Sequence, residues 1–152
     1  MTPPDDQNSH YWNAIEPIWD RVNIYDGPEQ FLSTFRSIRP ELGFLYAAHF
    51  CQSEVRNGGF RQFFSNSTGV LAPEAIEGLR AIGLSALAEV VAEAVAIFDL
   101  PYPRDRETRD GVLSKLPKDT FESLDTRFFQ LVGAEHGGFE RAATGYASKV
   151  AA

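Results

Sequence analysis

The 152-residue chain places few chemically capable side chains at spacings that would let them act together. Its histidines, His10, His49 and His136, are scattered, and the single cysteine, Cys51, stands two positions from His49. On a helix that offset sends the two side chains to different faces, so they form neither a nucleophile and its base nor a shared metal site. Packing is the expected role of both, and His136 reads as a loop residue near a helix end. Glu16 with Asp20, and Glu89 with Glu93, are each one helical turn apart, the separation at which two carboxylates can ligate a divalent ion or share a proton. Neither pair has a histidine at helical spacing, and the Glu-x-x-His element of di-iron bundles does not occur. A solvated acidic face is therefore expected. The sequence also lacks a GxxxxGK[ST] loop, a GxSxG elbow, an HExxH pair and a GxGxxG turn. The expectation is a protein that is not an enzyme, with no catalytic residues, no metal and no cofactor.

The elements that must position these groups all read as helices. Tyr11, Trp12, Ile15, Ile18, Trp19 and Val22 recur at three- and four-residue spacing, which predicts a helix over 9–22 with Pro17 as a bend. Gly27-Pro28-Glu29 and Arg39-Pro40-Glu41 each set a proline at a first helical position with an acid beside it, opening helices that run to about Ile38 and to Asn57-Gly58-Gly59. Gly59 is expected to stop the latter as a left-handed cap. Phe60 to Phe64 is expected to form a turn or two. Ala72-Pro73-Glu74 starts a helix ending at Gly83, and Ser85 is expected to cap the next, making a helical hairpin. Residues 100–118 read as a loop followed by a short helix around Val112, Leu113 and Leu116. Asp119 and Glu122 are expected to cap a helix through Leu131, and a last one spans about Phe139 to Lys149. Sustained period-two alternation is absent. The reading is an all-α fold of about seven helices, with a flexible leader at 1–8 and one domain over 9–152.

Composition narrows the partners. The net charge is −7, and phosphate binding depends on lysine and arginine displacing counterions, so direct nucleic-acid binding is not expected and a basic partner is. The charge is uneven. Residues 1–30 carry six carboxylates against one arginine, and residues 71–100 carry five against one, whereas 31–70 are net basic and 101–152 balance. A single cysteine, no apolar run of membrane-spanning length and an acidic start unlike a signal peptide point to a cytoplasmic protein.

The most specific stretch is Asn57-Gly58-Gly59-Phe60, followed by Gln62-Phe63-Phe64, Asn66-Ser67 and Gly69. Glycines permitting a sharp reversal and phenylalanines burying the turn explain it structurally, with Asn57, Gln62 and Asn66 expected to satisfy loose backbone groups. The glycines resemble an anion-binding nest, but their place at a helix C-terminus is unfavourable for anions. With Leu45-Tyr46 and Glu54-Val55 upstream, Ala72-Pro73-Glu74-Ala75 and Leu79-Arg80-Ala81-Ile82-Gly83 downstream, and Leu124-Asp125-Thr126-Arg127-Phe128-Phe129 later, the stretch closely resembles the bacterial DNA-mimic protein 19 family.

The resemblance implies an all-helical domain that acts as a dimer, its carboxylates imitating DNA phosphates on the DNA-binding face of a repressor-type transcription factor. Same-face carboxylates one helical turn apart lie about 6 Å from each other, within the range of phosphate spacings. The candidate partner-binding residues are Asp5, Asp6, Glu16, Asp20, Asp26 and Glu29 in one block and Glu74, Glu77, Glu89 and Glu93 in the other. An alternative is a small-molecule or enzymatic pocket lined by Arg56, Gln62, Asn66 and His49. A further one is an interaction module of a toxin or stress system.

Overall fold

A computed structural model of the chain describes residues 9–151, all of whose regular elements are helical. Eight α-helices follow in order: α1 (Ser9–Trp19), α2 (Pro28–Arg36), α3 (Pro40–Ser65), α4 (Ala72–Ile82), α5 (Ser85–Val95), α6 (Arg106–Leu113), α7 (Glu122–Val132) and α8 (Phe139–Ala151). Short 3-10 turns sit at Ser67–Leu71 and Glu135–Gly137. The count is eight against the expected seven or so, and the short helix expected around Val112, Leu113 and Leu116 begins earlier, at Arg106, and ends at Leu113. Asp105 caps α6, its Oδ2 accepting the Thr108 N–H at 2.9 Å. Asp5 and Asp6, and the leader reading for 1–8, lie outside the described residues.

The long α3 is the spine. It packs against α4, α6, α7, α8 and α1, while α5 lies between α4 and α7, and α8 returns to α1. The core is continuous along α3, where Leu45, Ala48, Cys51, Val55, Phe60, Phe63 and Phe64 are fully buried. The expected hairpin of α4 and α5 is present. Gly83 closes α4 in the left-handed conformation, and Leu84 N–H donates back to the Leu79 carbonyl at 2.8 Å. Burial of this aromatic-rich interior is the main driving force for the fold, since each large apolar side chain contributes about 1.5–3 kcal/mol when removed from water.

Two expected side-chain caps do not form. Ser85 is the first residue of α5 and does not cap it. Instead the Glu135 carboxylate accepts the Ala86 and Leu87 N–H groups, both at 2.9 Å, from a turn 48 residues further on. A charge-assisted acceptor against the positive helix end is stronger than a local hydroxyl. Asp119 offers only its backbone carbonyl to Glu122, because Pro117–Thr120 folds as a turn closed by Thr120 N–H on the Pro117 carbonyl.

His49 and Cys51 take packing positions, as their spacing implied. His49 Nδ1 shares a hydrogen bond of 3.0 Å with the Tyr11 hydroxyl, and the imidazole lies against Trp12 and Phe50. Burial pushes the imidazole down to about 4, so it is neutral at pH 7. Unfolded, the same ring titrates near 6.5, so the unfolded chain takes up its proton first as pH falls. The stability contributed by the neutral ring is complete above about pH 6.5 and is lost towards about pH 4. Urea unfolding between about pH 7 and pH 4.5 is expected to show a falling midpoint, with a shallower fall in His49→Gln. Equal acid sensitivity in the two proteins would contradict this account.

Candidate functional site

Within the Asn57–Gly69 stretch, two helical runs meet at a kink inside α3. Gly58 (φ −151°, ψ 18°) and Gly59 (φ 79°, ψ 177°) leave helical geometry inside α3, and the helix resumes at once with Phe60. The resumption creates a fresh helix N-terminus whose amides need acceptors. Asp125 of α7 meets that need: its Oδ1 accepts the Phe60 N–H at 2.8 Å. A Cβ on Gly59 would stand 2.7 Å from Asp125 Oδ2, so positive φ and the approach of a carboxylate both demand glycine there. Burial raises the Asp125 carboxyl above its ordinary value, and the hydrogen bond from Phe60 opposes that rise. The first helical run stops at these glycines as expected, with Gly59 at positive φ, whereas the argument against an anion beside them is corrected. The glycines face the positive start of a second helical stretch as well as the negative end of the first, and an internal carboxylate occupies the place.

Beyond the bend, Phe60, Phe63 and Phe64 are fully buried, with Phe60 edge-on to Phe128 at 5.5 Å and Phe64 edge-on to Phe98 at 4.8 Å. Gln62 and Asn66 do not satisfy backbone groups as expected. Their side-chain amides converge on Glu54 Oε2, at 3.3 and 2.6 Å, because the bend folds the face carrying 62 and 66 back over the preceding turns. Asn57 and Gly58 are exposed. Ser67 starts the 3-10 turn, and the Gly69 carbonyl accepts the Tyr102 hydroxyl at 2.6 Å.

The negative end of α3 is held by Arg106 and Arg109, and the 3-10 turn that follows it by Arg104. Arg109, wholly buried, donates to the carbonyls of Phe64 and Asn66 (both 2.9 Å) and to those of Pro103 and Arg104. Arg106 donates to the Ser65 carbonyl at 2.6 Å and Arg104 to the Val70 carbonyl at 2.7 Å. Guanidinium forks suit this task, since each presents several N–H groups in fixed directions to a cluster of unpaired carbonyls.

The two acidic blocks differ in what surrounds them. Glu74 is paired bidentately with Arg104 (2.7 and 3.1 Å), Glu77 with Arg80 (3.0 Å) and Glu93 with Arg127 (2.8 Å). The Arg127 contact holds the Glu93 carboxyl below its ordinary value. Glu89 is exposed on the same helix as Glu93. In the first block, Glu16, Asp20, Asp26 and Glu29 are all exposed, and none is in an ion pair among the described residues. Glu16 accepts the Trp12 indole N–H at 2.9 Å. Of the suggested pocket residues, Arg56 donates to Gln52 at 3.1 Å and His49 is buried against Tyr11, so the four do not converge. Among the described residues no group of three or more His, Cys, Asp or Glu side chains could hold a metal ion, and no helix is long and apolar enough to cross a membrane.

The model of the DMP19-like proteins matches residues 36–147, well over half of the chain. The chain belongs to the DMP19-like protein family. No curated protein and no solved structure matches it. The span matched in this DMP19-like protein runs from the end of α2 into α8 and so contains the α3 bend, its Asp125 cap and all three clasping arginines. It leaves out Glu16, Asp20, Asp26 and Glu29. In the sequence, Glu54 and Asp125 stand only as positions flanking the signature stretch. Their roles depend on contacts 8 to 65 residues apart that no local pattern displays. Replacing Asp125 by Ala is expected to lower stability by about 0.5–2 kcal/mol, the usual range for losing a capping side chain. Asp125→Asn, which keeps an acceptor oxygen, should lose less, and chemical denaturation of the three proteins in parallel checks the order. An alanine variant as stable as wild type would remove the capping role.

Proposed function

We propose that this DMP19-like protein is a non-catalytic interaction domain whose exposed carboxylates occupy the DNA-binding face of a basic transcription factor. Family membership supports the class of function, and the distribution of ion pairs supports the surface. The carrying observation is that Glu16, Asp20, Asp26 and Glu29 are exposed without cationic partners among the described residues, whereas Glu74, Glu77 and Glu93 are each paired to an arginine. Unpaired carboxylates keep their full field towards a basic partner, and that field both steers association and orients it. The working surface is therefore α1 and the turn into α2, with Glu89 a lesser contribution; Asp5 and Asp6, which precede α1 in sequence, belong to the same acidic block. Assembly of two copies would double the field and match a two-fold operator reader.

The supporting experiment begins with capture at low salt and identification of a DNA-binding protein among the captured chains. Complex formation should then weaken steeply with added salt and exclude operator DNA. Asp20→Asn combined with Asp26→Asn and Glu29→Gln is expected to weaken the complex by about tenfold or more, a change of about 1.4 kcal/mol. Glu77→Gln, whose carboxylate is already paired, should change it little. A partner that binds DNA and this protein together would overturn the proposal.

A further inference from the structure

Between the end of α1, the turn that follows it and the middle of α3 lies a cavity of about 570 Å³. One wall is a continuous aromatic row. Tyr46 and Phe50 are 4.8 Å apart between ring centroids, and Phe50 and Trp19 are 5.1 Å apart. Tyr25, four-fifths exposed, adds a fourth ring, and Trp19 itself is 47% exposed. The rest of the lining is acidic on balance, with Asp20, Asp26 and Glu54 against Arg21.

Glu54 is the most firmly placed of these carboxylates. Gln62 and Asn66 both donate to its Oε2, which fixes the side chain and leaves Oε1 without a hydrogen-bond donor among the described residues. Neutral amides orient the carboxylate without cancelling its charge, and no ion pair involves it among the described residues. Thr68, nine-tenths buried, also lines the cavity, and its hydroxyl is buried with no hydrogen-bond partner.

Aromatic faces attract cations through their negative ring quadrupoles, and a partly buried carboxylate supplies the opposite charge and an acceptor. We propose that this cavity binds an organic cation, an alkylguanidinium or alkylammonium group, between the Trp19–Phe50–Tyr46 wall and the Glu54 carboxylate. Gln62 and Asn66 are then positioning residues: the signature stretch serves the pocket by aiming Glu54. The cation is either a free amine or guanidine or a basic side chain of a bound protein. The site does not depend on mimicry of DNA, because small cations test it with no partner present.

The experiment titrates the protein with butylguanidinium and with its neutral isostere butylurea at constant ionic strength, following the Trp19 indole and the Thr68 and Glu54 amide resonances by NMR. Saturable shifts with butylguanidinium and none with butylurea are expected. Glu54→Gln should weaken binding by about tenfold, equivalent to about 1.4 kcal/mol. Because that change also touches the contacts of Gln62 and Asn66, Trp19→Leu is the second variant: its ring is half exposed, so its loss should weaken binding while leaving the unfolding midpoint near that of wild type. Equal shifts from butylurea, or butylguanidinium shifts that neither variant alters, would overturn the proposal. Agmatine and acetyl-Ala-Arg-Ala-amide distinguish the sources. Peptide binding at least as tight as that of agmatine assigns the site to a protein side chain, whereas agmatine binding with exclusion of the peptide assigns it to a free cation. Failure of both to bind would overturn the site.

Discussion

When a helix bends sharply and resumes, the first amides after the bend lose their carbonyl partners and, in a buried setting, must find others or destabilise the fold. In this protein the requirement falls on Phe60, at the centre of the core, and a single oxygen of Asp125 meets it across 65 residues of sequence. Much else follows from that contact. Gly59 has to be glycine, both to take positive φ and to admit the carboxylate. Phe60 and Phe64 then turn inward onto Phe121, so α7 and the second half of α3 share one aromatic cluster. The same bend sets Gln62 and Asn66 over Glu54.

The opposite end of α3 poses the complementary problem of unpaired carbonyls at the negative pole of the helix. Arg106 and Arg109 answer it with fixed donors, and Arg104 does the same for the Val70 carbonyl of the 3-10 turn that follows. Arg109 is wholly buried and bonded to carbonyls alone. Burial lowers the proton affinity of its guanidinium, yet a group with so high an ordinary value remains charged and each of its bonds is charge-assisted. Positive charge in the second half of the chain is thus spent on architecture, in clasping α3 and in pairing Glu74 and Glu93. The carboxylates of Glu16, Asp20, Asp26 and Glu29, in α1 and the turn into α2, are in no ion pair among the described residues.

The all-helical fold was legible because the apolar spacing, the prolines at helix starts and the glycine after α4 are local signals. The sequence also showed that Asn57–Gly69 is exceptional, yet its working could not be read there. Gly59 looks the same in a sequence whether it ends a helix or bends one, and the deciding residue, Asp125, is on another helix. Glu135 as the cap of α5 and Arg109 as the clasp of α3 were hidden for the same reason: long-range partners replaced the nearby Ser85 and the local turn residues. The cavity was missed because its walls come from α1, the following turn and the middle of α3, each of which reads separately as an ordinary amphipathic or polar segment.

The central claim is that the signature stretch is a bent spine held shut by Asp125, and the Phe60 amide reports on it directly. Native-state hydrogen exchange at that single N–H compares its opening free energy with that of global unfolding. The account predicts that Phe60 exchanges only with the slowest core amides of α3, and that in Asp125→Ala it exchanges through a local opening well below the global value. Rapid exchange of Phe60 in the wild-type protein, or unchanged protection in Asp125→Ala, would contradict it.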